Sequence, residues 1–182
     1  MLKAGFLKAL SPIFIILILL LIFSYRSSCS DPAQNEVEKI KRFAELRKDG
    51  RTDQAYKMLS DLSKKKYSFD AFDEYCFVYR IVDTVSVKKR EPGRYELNYK
   101  FYDKRFVPGS DELYTFYITE NIETVKLDDT GIVFPHTGFL LLRKSIEDRD
   151  VESAEKQVKK MLSIDPGNPD VLKSAKQMGF VE

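Results

Sequence analysis

The stretch FLLLRKSIEDRDVESAEKQVKKMLSIDP, residues 139–166, decides how the chain is read. Two apolar periods run through it. Phe139, Leu142 and Ile146 recur at i, i+3 and i+7, and Val151, Ala154, Val158, Met161 and Leu162 repeat the pattern. Apolar residues so spaced share one face of a helix. Asp150 stands between the periods as an N-cap, because its carboxylate can accept from the free N–H groups of the next turn. Pro166 cannot continue the second helix and disfavours helical backbone at Asp165. Asn168-Pro169 restarts a helix with a cap and a proline at its first position. That last helix runs to about Gln177, with Val171, Leu172, Ala175 and Met178 packing back and Gly179 as its stop.

This spacing resembles a tetratricopeptide repeat. Ala154, Val158, Met161 and Pro166 fit the second helix of that family's unit, while Gly138 and Ser145 stand where aromatics are favoured in the first. An upstream copy fits the same offsets with Leu46, Gly50, Ala55, Leu59 and Leu62, with Tyr67 in place of the proline. The resemblance implies helical hairpins that stack and offer an open face to a protein partner. An ordinary amphipathic hairpin is the plain alternative.

Upstream of the first copy, Val37, Ile40, Phe43, Ala44 and Arg47 trace one helical face. Gly50 ends that helix. Thr52 is placed to cap the next, which keeps Ala55, Leu59 and Leu62 inward and finishes in Ser63-Lys64-Lys65-Lys66, cations at the negative end of its dipole. Residues 67–83 carry both helical and strand spacing, and a third packing helix over about 69–80 is expected. From Thr84 to Pro135 the period is two. Tyr95, Leu97, Tyr99 and Phe101 take one face against Glu96, Asn98 and Lys100 on the other. Tyr114, Phe116 and Ile118 are expected to continue the apolar face on a later strand, and Ile122–Leu127 to extend it or begin another. The expected fold is therefore α+β. Repeat-like hairpins over 31–83 and 137–182 flank an antiparallel β-meander over 84–136, with an N-terminal hydrophobic helix ahead of them.

That leader, residues 1–30, holds the seventeen uncharged residues Ala9–Tyr25 behind Lys3 and Lys8. A run so apolar on every side satisfies its backbone as a helix in lipid. Three fates remain open: a retained anchor, a cleaved secretory signal, or a lipoprotein signal with Cys29 as the lipidated residue. Arg26 stands where the last of these wants an aliphatic residue. With Lys3 and Lys8 inside, all three carry residues 31–182 out of the cytoplasm.

Charge and cysteines bound the chemistry. The net charge is +2, and without Lys3, Lys8 and Arg26 the rest carries 27 basic groups against 28 acidic ones. Such a balance does not favour nucleic acid. Cys29 and Cys76 form no metal-binding spacing with the lone His136, which reads as a surface or hydrogen-bonding residue. No nucleophile elbow, phosphate loop or dinucleotide fingerprint occurs. Neither a catalytic residue nor a cofactor is expected. The residues so read imply a non-catalytic adaptor of a bacterial cell envelope. It would meet its protein partner through Arg47, Lys48, Arg143 and Lys144 on the helices, or through Tyr102 and Tyr117 on the sheet; self-association stays open. The alternative is a lipid or other apolar ligand in a pocket between sheet and helices.

Overall fold

The computed structural model describes residues 32–83, 85–106 and 114–181; the side chains of 32–33, 103–106 and 114–117 fall outside the description. The chain divides into two units, Met1–Asn35 and Glu36–Glu182. Of the first, the description covers residues 32–35, which open a helix. The readings of residues 1–30, Cys29 included, lie outside the described residues. Among those described, no helix is long and apolar enough to cross a membrane.

The fold is α+β, with seven helices and a four-stranded antiparallel sheet among the described residues. The order is α1 (Pro32–Lys48), α2 (Thr52–Lys57), α3 (Asp61–Lys66), α4 (Phe69–Val78), β1 (Ser86–Glu91), β2 (Arg94–Phe106), β3 (Tyr114–Asp128), β4 (Gly131–Val133), α5 (Thr137–Glu147), α6 (Val151–Ile164) and α7 (Pro169–Gln177). The strands lie in sequence order, β1-β2-β3-β4. The 67–83 stretch is helical over α4 and then touches the sheet, where Ile81 bridges Phe101.

Several devices act as their residue types dictate. Asp150 caps α6 by accepting from the Ser153 N–H at 2.9 Å, and Asn168 caps α7 from Asp170 and Val171. Pro92-Gly93 turns β1 into β2, with Gly93 at φ 72°. Tyr95, Leu97, Tyr99 and Phe101 face inward, meeting Ile40, Phe43 and Ala44 of α1, Phe72 and Tyr75 of α4, and Ile132 and Phe134. A second apolar cluster joins Leu142 of α5, Ala154, Val158 and Met161 of α6, and Val171 and Ala175 of α7.

Six expectations are corrected. The helix expected from Thr52 to Lys66 is broken. Leu59 bridges Ile132 in parallel, the Ile132 N–H donates to the Met58 carbonyl at 2.9 Å, and the Ser60 N–H donates to the Ile132 carbonyl at 2.8 Å. Backbone groups spent on β4 are not available to a helix. Gly131 permits the approach, because a Cβ there would lie 2.6 Å from the Met58 carbonyl oxygen. Thr52 does not cap α2: Arg51 holds that place without a side-chain bond, and Thr52 Oγ1 donates to Asp73 at 2.5 Å. Ser60 caps α3, which turns Ser63 inward and leaves Leu62 outward.

The apolar phase of β3 is also reversed. Ile118 and Ile122 are 62% and 51% exposed, whereas Glu123 and Val125 are buried. Register explains it, since Glu123 pairs with Leu97 and Val125 with Tyr95, so the odd residues share the inner face of β2. Ile146 and Val151 flank the α5–α6 turn and are exposed, beyond the reach of the apolar seam. Arg47 does not stand on an exposed face: it is 2% exposed, buried beside Phe43 on the core stripe of α1.

Candidate functional site

Arg47 and Glu123 are charged residues on the apolar faces of two different elements. They meet in a two-pronged ion pair, with Nη1 2.6 Å from Oε2 and Nη2 3.1 Å from Oε1. Glu123 Oε1 also accepts from the Tyr75 hydroxyl at 2.5 Å and from the Tyr99 hydroxyl. Asn121 Nδ2 donates to the Tyr99 oxygen at 2.9 Å. The guanidinium lies 5.1–5.5 Å from the ring centres of Phe43, Tyr75, Tyr99 and Phe134. Burial alone pushes the Glu123 carboxyl up, but Arg47 and the phenol donor hold it below the usual carboxylate range. Desolvating two charges is costly, and good geometry with further hydrogen bonds is what offsets that cost.

A second polar cluster ties α7 to the sheet. The Thr124 N–H donates to Asp170 Oδ2 at 2.7 Å, and Asn168 Nδ2 donates to the Thr124 carbonyl at 2.8 Å. His136 Nε2 lies 3.0 Å from the same Asp170 oxygen, while its buried Nδ1 has no partner. Burial pushes the Asp170 carboxyl up, and His136 with the Thr124 amide brings it below its ordinary value. Arg94 Nη1 and Nη2 hold Asp165 at 2.8 and 3.0 Å, fixing the turn before α7 to the start of β2.

Above these clusters opens a groove of about 670 Å³. α5 supplies Phe139, Leu142 and Ile146 to one wall, and α7 supplies Lys173, Gln177 and Met178 to another. Tyr75 of α4 and the adjoining Tyr79 close one side, Asn121 and Ile122 of β3 another, and the buried Glu123 and His136 lie with Asp170 on the floor. The floor carboxylates are spent on Arg47, the phenols, His136 and a backbone amide. What the groove offers a ligand is apolar wall under a charged rim.

Of the residues singled out in the sequence, Arg143 lines this groove, with Nε 2.9 Å from Glu147 Oε1. Lys48 and Lys144 are exposed and lie outside its lining. Tyr102 is half exposed on the outer face of β2, across from Ile118. The Tyr117 side chain is outside the described residues. The structure therefore does not bring the four helix cations together. Sequence reasoning missed Glu123, Tyr75 and Asp170; it read His136 as a surface or hydrogen-bonding residue and Tyr99 as part of the apolar face of its strand. One signal for the ion pair was present: a charge on the apolar phase of α1 and another on the phase shared with Val125 and Leu127. Among the described residues, no cluster of three His, Cys, Asp or Glu could hold a metal ion. No protein-family model matches the chain, and no curated protein and no solved structure matches it.

Proposed function

We propose that this chain is a non-catalytic adaptor, tethered to a bacterial envelope membrane, that holds a protein partner in the groove between α5 and α7. The groove itself carries the reading. Its walls are apolar and its rim charged, which is the anatomy of a protein-binding patch, while the carboxylates on its floor are bonded to Arg47, the phenols, His136 and a backbone amide. The resemblance of the α5–α6 hairpin to a tetratricopeptide repeat, with α7 as its capping helix, supports it, since such hairpins offer an open face to a partner. The upstream copy lends less support, with Arg47 buried and α2 six residues long. The tether rests on the Ala9–Tyr25 run.

A photo-crosslinking residue at Gln177, on the groove wall, should give a discrete heavier adduct in cells; the same residue at Lys48 should not. Equal yields at both positions would remove the groove from consideration. Membrane fractionation of the full chain, with a chain lacking residues 1–30 as comparison, tests the tether. A full chain found wholly in the soluble fraction would refute it. The size and apolar walls of the groove favour one second reading, a lipid or other apolar small molecule, because ligand pockets span about 300–1,000 Å³. Native mass spectrometry separates the two by the mass that stays bound.

A further inference from the structure

β3 is fifteen residues long, but β4 pairs only with residues 126–128 of it. The remainder of that edge has a definite chemistry. Both backbone groups of Thr124 bond to the α7 turn, so both point away from β2. In an antiparallel ladder alternate residues share this orientation. Lys126 and Asp128 follow it by pairing with β4, and Leu127 follows the opposite phase by donating to the Gly93 carbonyl at 2.7 Å. The N–H and C=O groups of Ile122, Glu120 and Ile118 therefore also point away from β2. Among the described residues nothing bonds to those of Glu120 and Ile122. β4 cannot extend to cover them: continuing its register would set Pro135, which has no N–H, opposite Thr124. The groove opens at this edge, since residues 121–123 form its side.

We infer that the edge at Ile118–Ile122 receives an extended segment of the partner as a further strand of the sheet. This rests on the groove reading and names the form its occupant takes. Outward main-chain donors and acceptors in alternation are matched by another main chain, the mode by which open sheet edges bind peptides. Side chains of an added strand alternate between two faces. One set would enter the groove against Phe139, Leu142 and Met178; the other would cover Ile118 and Ile122, the exposed isoleucines of the outer face. The segment is thus apolar on both faces over about five residues. Lys173 stands on the rim with no ion pair among the described residues, so an acidic residue flanks that segment.

The test uses the full chain, purified in mild detergent, and twelve-residue peptides selected on it from a random displayed library. The best peptide is resynthesised with a single N-methyl group at each backbone position in turn. Strand pairing predicts that methylation at alternate positions weakens binding roughly tenfold or more, about the value of one or two hydrogen bonds, and that the positions between tolerate it. Ile122→Pro removes an outward donor on an edge, where proline is tolerated. It should cause the same loss with an unchanged circular dichroism spectrum. Bound peptide should slow hydrogen exchange at the Glu120 and Ile122 amides and leave Asn121 unchanged. Uniform tolerance of N-methylation, in a peptide whose binding is lost on Ile146→Lys, overturns the added strand and leaves the groove. Selected peptides indifferent to Ile146→Lys, or no selected peptide at all, overturn both.

Discussion

Replacing Arg47 by methionine removes the cation from a carboxylate that is 1% exposed. Glu123 Oε1 keeps two phenol donors, but Oε2 loses its partner at 2.6 Å. Breaking a buried pair from one side costs about 3–5 kcal/mol, because the surviving charge stays in the core. Glu123→Leu strands the guanidinium and also takes the acceptor from the Tyr75 and Tyr99 hydroxyls, so it should cost at least as much. The double variant strands neither charge. It leaves the Tyr75 and Tyr99 hydroxyls without their acceptor, at about 1–3 kcal/mol each. The double change should then cost roughly 2–6 kcal/mol where the single costs sum to at least roughly 6–10, a coupling of at least about 4 kcal/mol. Urea unfolding followed by circular dichroism, on a chain beginning at Asp31, measures all three. Acid adds an independent readout. The Glu123 pKa is lower folded than unfolded, so its stabilisation is complete above the ordinary value of about 4.3 and is lost as pH falls through the depressed one. The double variant should lose that share of acid sensitivity, while the share from Asp170, of the same sign, persists. Single variants that each cost under about 1 kcal/mol, with a double variant equal to their sum, would refute the buried pair.

Three further outcomes follow from packing and burial. Gly131→Ala should destabilise by more than about 1 kcal/mol, since its Cβ would meet the fixed backbone of Met58 and Leu59. Gly138→Ala, whose Cβ would clash with the buried Tyr67 hydroxyl and the middle of the buried Met161 side chain, should likewise cost more than about 1 kcal/mol by the same urea titration. Ala55→Leu and Ala154→Leu, both buried, should each cost about 1–3 kcal/mol by overpacking, whereas exposed Lys156→Leu should shift the midpoint little. Burial pushes the Cys76 thiol up to about 11. In a Cys29→Ser background it should therefore resist thiol reagents at pH 8 until denaturant is added, and rapid native labelling would contradict its burial.

Local chemistry was legible where one element's own period decided the outcome. The caps at Asp150 and Asn168, the alternation of β2 and the stripe of α1 all follow from neighbours within a few residues. β3 was misread because its own apolar residues point the wrong way. Ile118 and Ile122 outvote Glu123 on composition, and what reverses the phase is Arg47, 76 residues upstream of Glu123. Thr52–Lys66 failed for a similar reason, since the break at Met58–Ser60 comes from pairing with Ile132. His136 was recognised as a hydrogen-bonding residue, but its partner Asp170 lies 34 residues on and no periodicity links them.

The Thr124 clip has a consequence for how the molecule assembles. Its amide and carbonyl are satisfied by side chains 46 and 44 residues later in the chain. An intermediate with the sheet formed and α7 undocked would expose an unpaired edge from Ile118 to Thr124, two residues longer than that of the native state. Unpaired edges in partly folded species are where chains pair with one another. Aggregation during refolding should therefore rise with concentration, be confined to the interval before α7 docks, and worsen when Asn168 is replaced by alanine.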